Sequence, residues 1–379
     1  MISTKIKALA VLGTLTGAVL FDALVLRADE DTMTFQGFGA ETTGGVAGEV
    51  ITVTSLDNDG PGTLRWALEK HHTPRTIAFD VSGTIALDHQ IEIRGGVTID
   101  GSTAPGAVTI TGGRLRVIGD NVIITGLRIR PGDGTGQPFE SRDGISIGKS
   151  GASIENVVID SNSISYGIDE NLSIFGDVKN VTISNNIIAN ALDESLHPKG
   201  PHSMGMLIAN GATRVTVVDN LLANNANRNP TINDASEVEV INNLVYNWSE
   251  NGLHTNNAQV HAIGNVYSAG PDTVVPDAFV LKSADGSSGA YYLSDNVATV
   301  KRGEAIVDEP LFAGSGIIPR PSDDVTAHVL QNAGARLPEL DAIDQAIIAG
   351  VRHGTGVIIN TPSDLYDQTA AMTEPARAN

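Results

Sequence analysis

The sequence contains no cysteine. That absence excludes disulfide staples, thiol nucleophiles and thiolate metal sites, and it leaves the redox compartment unreadable. Aromatic residues make up only 4% of the 379 positions, which argues against one large globular core. Basic residues are scarce as well: 24 Lys and Arg stand against 44 Asp and Glu, a formal net charge of -20. Non-specific binding to nucleic acid or to an anionic membrane surface is thereby excluded, because like charges repel over about a Debye length. Any anionic ligand has to be received by a local concentration of positive charge. Long apolar runs are missing too. The longest, "ALAVLGTLTGAVLF" at 8–21, is short for a bilayer span but suits the core of a secretion signal behind Lys5 and Lys7. Residues 1–28 are therefore read as a signal peptide or N-terminal anchor with Ala28 near its end, and the protein as secreted or periplasmic, with no other membrane contact.

What is present is glycine, 41 residues of it, with a 41% hydrophobic share dominated by aliphatics. This composition suits repeated thin layers. "NVVIDSNSI", "NVTISNNII", "RVTVVDNLL", "EVEVINNLV" and "QVHAIGNVY" share one plan of alternating β-branched residues, an Asn, then aliphatics. The asparagines are Asn162, Asn186, Asn220, Asn243 and Asn265, at steps of 24, 34, 23 and 22 residues. A period of this length, with one longer loop-bearing step, predicts an all-β solenoid, a parallel β-helix whose short strands stack coil upon coil. Stacked Asn residues would form side-chain ladders at the turns and tolerate left-handed backbone there. The rival, a β-sandwich, also has many short strands but predicts no aligned Asn in every unit.

The ends of a solenoid must be covered, because the last coil exposes an apolar face and unpaired edges, so a helical cap is expected at each end. "GPGTLRWALEK" at 60–70 sets Leu64, Ala67 and Leu68 at helical spacing and reads as a helical N-terminal cap. Residues 29–320 are assigned to the β-helix and 321–379 to a helical C-terminal cover and tail of the same domain. In that cover Ile343, Ile347, Ile348 and Val351 share a face.

Three polar clusters interrupt the repeat: Asp143 in "DGISIG"; Asp160, Asp169 and Glu170 in "VVIDSNSISYGIDENLSIFGD"; and His197 and Lys199 in "HPKG" with Arg228 in "NNANRNPTIN". Stacked coils lie about 4.8 Å apart, so residues on successive coils can line one groove. Adjacent carboxylates form a hard oxygen site suited to calcium, and Lys and Arg beside them suit the carboxylates of an acidic sugar chain. The competing reading of these acids is as turn residues that bond local amides, which for Asp160 is equally weighted. His197, His202 and His254 show no zinc-type spacing and read as groove-lining or packing residues. Trp66 and Trp248 read as cap and core.

The ordered set "GFGAETTGG", "GPGTLRWALE", "VSGTIAL", "NVIITGLRIRPGD", "DGISIG", "SYGIDENLSIFGDVKNVTI", "HPKGPHSMG" and "NRNPTI" resembles the pectate lyases of polysaccharide lyase family 1, from residue 37 to about 270. The resemblance implies a right-handed parallel β-helix that cleaves pectate, de-esterified polygalacturonate, by calcium-assisted β-elimination. It implies Arg228 as the base that takes the C5 proton, Lys199 as the cation on the substrate carboxylate, and Asp143, Asp169, Glu170 and Asp160 as calcium ligands. His197 and Asn229 are taken as further substrate contacts. The sequence departs from the family pattern at several points. No Trp or His flanks Asp160, Asn233 replaces a second arginine, Ser141 and Ser173 stand where relatives carry acids, and Phe175 stands where some carry lysine. The implied partner is an acidic polysaccharide and the implied state a monomer. Two other functions remain open: a β-helical glycoside hydrolase, which needs a carboxylate pair across the scissile bond, and a polyuronate-binding protein without catalysis.

Overall fold

The computed structural model describes residues 33–365 apart from 47, 73, 135–141, 284–288 and 302–304. The expected signal segment 1–28, Ser141 and the C-terminal tail lie outside the described residues. The architecture below belongs to a compact unit that begins at Phe35.

Among the described residues, three sheets of eleven, nine and eight strands contain the solenoid. Ile154–Asp160, Val178–Ser184, Thr213–Val218 and Ser236–Ile241 are successive neighbours in the eleven-stranded sheet, all in parallel register. Each is one coil on from the last, which is the connectivity of a right-handed parallel β-helix and bears out the predicted fold. Inward positions stack like on like. Val122, Val157, Val181, Val215, Val238 and Val260 lie in one register column and are all buried. Each fully buried aliphatic side chain contributes about 1.5–3 kcal/mol of transfer free energy, so a narrow interior of identical layers replaces a bulky aromatic core.

The asparagines do form a ladder. The Oδ1 of Asn186, Asn220, Asn243 and Asn265 each accepts the backbone N–H of the ladder residue one coil earlier, at 2.9 to 3.0 Å. The left-handed backbone belongs to the residue before each one: Ser161, Asn185, Asp219, Asn242 and Gly264 have φ between 53° and 66°. Two adjacent positions thus divide the corner, one turning the chain and one bonding the coils. The ladder runs further than its sequence pattern suggested. Asn296 continues it beyond Asn265, and Leu127 begins it as a residue that only donates, its N–H bonded to Asn162.

"GFGAETTGG" is a lacing across the outer face of the eleven-stranded sheet. The amides of Phe38, Gly39 and Gly45 donate to the hydroxyls of Thr216, Thr182 and Thr98 on three different coils. A Cβ at Gly37 or Gly39 would come within 2.8 Å of Thr182 or Thr216 atoms, so the glycines are needed for close approach.

The N-terminal cap is the helix Leu64–Glu69. Thr63 caps it by accepting from the Trp66 amide, and Leu64, Ala67 and Leu68 are buried against the first coils. Trp66 packs partly buried there and Trp248 lies in the core. The C-terminal helices, Ser322–Asn332 and Ala342–His353, do not cap the last coil as expected; they instead cover the solenoid along its flank, because their apolar faces meet the outward aliphatics of the eight-stranded sheet. Val325, Val329, Ile347 and Ile348 pack on Ile187, Leu221 and Leu244 at the outer face of the eight-stranded sheet. Arg130 fastens the second helix through the buried Asp344, at 2.8 Å, and through Asp341.

Candidate active site

The outer face of the nine-stranded sheet carries a groove of about 470 Å³. The long 34-residue step of the repeat builds its wall: the extra residues, 192–203, run between the strands Ile187–Ala189 and Met204–Ala209 and carry His197, Lys199 and His202. The floor follows from strand alternation. With Ile145, Leu172 and Met206 turned inward, the in-register column Arg116, Ser146, Ser173 and Leu207 faces outward.

Asp143, Asp169 and Glu170 converge here, each offering an oxygen within 4.8 Å of the others. Arg228 stands in the same groove as Asp143. Its guanidinium pairs directly with Glu170 and lies 3.9 Å from Asp169. The backbone of Arg228 is left-handed, φ 61°, and its amide takes the Asn227 side-chain oxygen at 2.7 Å. A non-glycine residue held in that region costs about 1–2 kcal/mol, so the surrounding bonds must fix it there. Burial pushes the Arg228 guanidinium below its ordinary range, although Asp169 and Asp143 oppose the shift.

The carboxylates differ from one another. Burial pushes Asp143 above the usual carboxylate range and Asp169 adds to this, against the Arg114 ion pair at 2.8 Å and the Ser146 hydroxyl at 2.5 Å. Burial also acts on Asp169, but the His202 hydrogen bond at 2.8 Å and the charges of His202, Arg228 and His197 outweigh it and hold that acid low. Three convergent hard oxygens, one of them on an acid raised by its surroundings, fit a hard divalent cation whose remaining ligands come from solvent and substrate.

Other expected site residues stand elsewhere. Asp160 ends a strand of the eleven-stranded sheet, where its carboxylate accepts from the Ser161 and Ser184 hydroxyls and the Asn185 amide. It is a turn-forming acid there, outside the carboxylate cluster. Asn229 is buried, its side chain spent on Asn225 and the Asn251 carbonyl, so it has no surface to offer a substrate. His197 is buried as well, behind the Lys199 turn. Lys199 reaches the groove, and Ser173 and Phe175 line it. Phe175 is 51% exposed.

The sequence reading missed Arg114, Arg116 and Lys149, all of which line the groove. The alternation of "RLRV" was the available signal, since with Leu115 and Val117 buried both arginines must face out. With Lys199 and Arg228 they make five cationic groove side chains against three acids. A chain of net charge -20 thus holds a local positive excess at this one groove.

No protein-family model matches the chain. A probable pectate lyase C of Aspergillus flavus is 33% identical over 355 residues, covering 87% of this chain and 79% of that protein. Among solved structures, the major allergen of cedar pollen superposes with a TM-score of 0.60 at 21% identity, covering 79% of this chain and 92% of its own. A pectate lyase bound to a hexasaccharide gives 0.59 at 17% identity, covering 81% and 99%. The two structures share the fold, and the curated relative matches most of both chains. The chain belongs to the pectate lyases of polysaccharide lyase family 1.

Proposed function

We propose that the protein is a secreted pectate lyase that cleaves polygalacturonate by calcium-assisted β-elimination, with Arg228 as the base. The observation that carries this reading is the meeting of a half-buried guanidinium with three carboxylates and Lys199 in one groove. Asp143, Asp169 and Glu170 would hold the calcium, which when bound neutralises the uronate carboxylate and so acidifies C5. Lys199 adds a second positive charge at the same carboxylate, stabilising the negative charge that develops as the C5 proton leaves. Arg228 accepts that proton. The electron pair of the C5–H bond becomes the C4–C5 double bond, and the C4–O bond breaks, the oxygen leaving with its pair and taking a proton from solvent. No nucleophile or activated water is required.

Arginine is a poor base in water because its proton is held above pH 12. Burial of the Arg228 side chain works in the needed direction. The charges of Asp169 and Asp143 work against it, and a cation held by these acids would offset their pull on the guanidinium.

The test follows the ultraviolet absorbance of the new double bond on polygalacturonate. Activity is expected with calcium and lost on chelation, and Arg228→Ala should lower kcat by about 10²–10⁴-fold, the range of general base catalysis. A product without ultraviolet absorbance would mean hydrolysis and would end the proposal. A second reading, binding without cleavage, is favoured by the Arg228–Glu170 pair alone; it requires that the polymer bind and no product form.

A further inference from the structure

Two imidazoles connect the acid side of the groove to its lysine. His197 and His202 are buried and stack face to face, with centroids 3.7 Å apart and planes 5° from parallel. Both address one carboxylate: His202 Nε2 lies 2.8 Å from Asp169 Oδ1, and His197 Nε2 lies 4.0 Å from Asp169 Oδ2. On the other side, the Lys199 amide donates to His197 Nδ1 at 3.2 Å.

These bonds fix the tautomers. A nitrogen that accepts an amide N–H has no proton, so neutral His197 carries its proton on Nε2, toward Asp169. A carboxylate only accepts, so His202 Nε2 must donate. Both rings therefore turn N–H groups to Asp169. Face-to-face rings also cannot both direct lone pairs at one ion, so the pair is unsuited to holding a metal. Backbone bonds hold the assembly at both ends, since the His202 amide donates to the Asp193 carbonyl and the Gly200 amide to the His197 carbonyl.

We infer that the stacked His197–His202 pair is a positioning device, His202 setting the orientation of Asp169 in the carboxylate cluster and His197 setting the turn that carries Lys199. The inference rests on the reading of the groove as the calcium-assisted lyase site. Neither imidazole touches substrate. One spacer of fixed thickness sets both the oxygen offered to the cation and the height of the ammonium. An error in either ring displaces a different partner, which makes the two roles separable.

The experiment compares His202→Ala with His202→Gln and His197→Ala with His197→Asn. The Gln amide donates from near the Nε2 position, and the Asn oxygen accepts near the Nδ1 position. His202→Ala is expected to raise the calcium concentration for half-maximal velocity by about 10–100-fold, as loss of an outer partner of a metal ligand does, with His202→Gln recovering most of it. His197→Ala is expected to raise KM more than it lowers kcat and to speed hydrogen exchange at the Lys199 amide, with His197→Asn restoring the protection. An equal calcium requirement in parent and His202→Ala, or unaltered Lys199 exchange in His197→Ala, overturns the inference. A merely structural role would lower both pairs' melting temperatures with no recovery by Gln or Asn, which also overturns it. Amide exchange needs no turnover. A parent that fails to cleave polygalacturonate would refute the proposed function and still leave the Lys199 arm decided.

Discussion

Asn220 is an interior rung of the ladder, and its replacement by alanine tests whether side-chain bonds between coils hold the solenoid together. Its Nδ2 donates to the carbonyls of Ile183 and Val218 and to Asn243 Oδ1, at 2.9 to 3.0 Å, and its Oδ1 accepts both the backbone and side-chain N–H of Asn186. The site is fully buried. Alanine removes all five bonds. Asn186 Nδ2 keeps the Ile159 carbonyl, while the Asn186 backbone N–H loses its protein partner. One orphaned buried donor costs about 1–3 kcal/mol and each remaining bond about 1 kcal/mol or less, so the expected loss is about 3–5 kcal/mol. At a urea dependence of about 3 kcal/mol/M, the unfolding midpoint should fall by roughly 1–1.7 M.

The half-exposed rung Asn296 serves as the comparison, because there solvent can satisfy the Asn265 N–H; Asn296→Ala should cost about 1 kcal/mol. Asn220→Leu should be no better than Asn220→Ala, although Leu127 occupies the first ladder position, since no earlier rung needs an acceptor from it. Equal midpoint shifts for Asn220→Ala and Asn296→Ala, or a parent-like Asn220→Leu, would show that aliphatic stacking alone sets coil stability.

Two shorter predictions concern the groove and the outer face of the eleven-stranded sheet. Phe175→Lys puts an ammonium at an exposed groove position; one exposed ion pair at about 0.2–1 kcal/mol should lower KM for unesterified polygalacturonate by about 1.4–5-fold, and a raised KM would contradict the cationic-groove argument. His261 accepts the Leu311 amide at 2.8 Å, and burial holds its imidazole below the ordinary value of 6.5 against the pull of Glu239. Its folded form resists a proton that the unfolded chain takes up, so stability falls as pH drops below about 6.5. His261→Gln should flatten that part of the dependence in urea midpoints measured from pH 7.5 down to 5.5.

The fold was legible because each coil repeats its own constraints. A buried column of valines and an Asn bonded to the next Asn recur at every turn, so periodicity alone exposes them. The division of the corner into a left-handed residue and a bonding one was also written in the sequence, as the Ser, Asn, Asp, Asn and Gly that precede the five ladder positions. The site was less legible. Asp143, Asp169, Lys199 and Arg228 meet because three different coils and one inserted loop converge, and spacing gave their coil but not their face. Asp160 illustrates the limit. It lies nine residues before Asp169 in sequence, yet it ends a strand of the eleven-stranded sheet, and the turn at Asn162 and the strand Ser163–Ser165 of the eight-stranded sheet come between the two; hydroxyls rather than a groove receive its charge. Asn229, next to Arg228, fails for the opposite reason, since the Asn225 and Asn251 carbonyls and the Asn225 side-chain amide consume its side-chain polar atoms.

The charge distribution explains how so acidic a chain can take an acidic polymer. A uniform surface of net charge -20 would repel polygalacturonate at every approach. Five cationic side chains collected in one concave groove reverse the sign there, and low-dielectric walls concentrate the field at that place. The three acids within it do not cancel this arrangement. Asp143 is paired with Arg114 and Glu170 with Arg228, and Asp169 accepts a hydrogen bond from His202, so each acid has a local partner while Arg116, Lys149 and Lys199 also line the groove. If a divalent ion enters the carboxylate cluster, the groove becomes more positive at the point where the uronate carboxylate must sit. Repulsion over the rest of the surface and attraction at the groove then act together to direct an acidic polymer to the groove that holds Arg228.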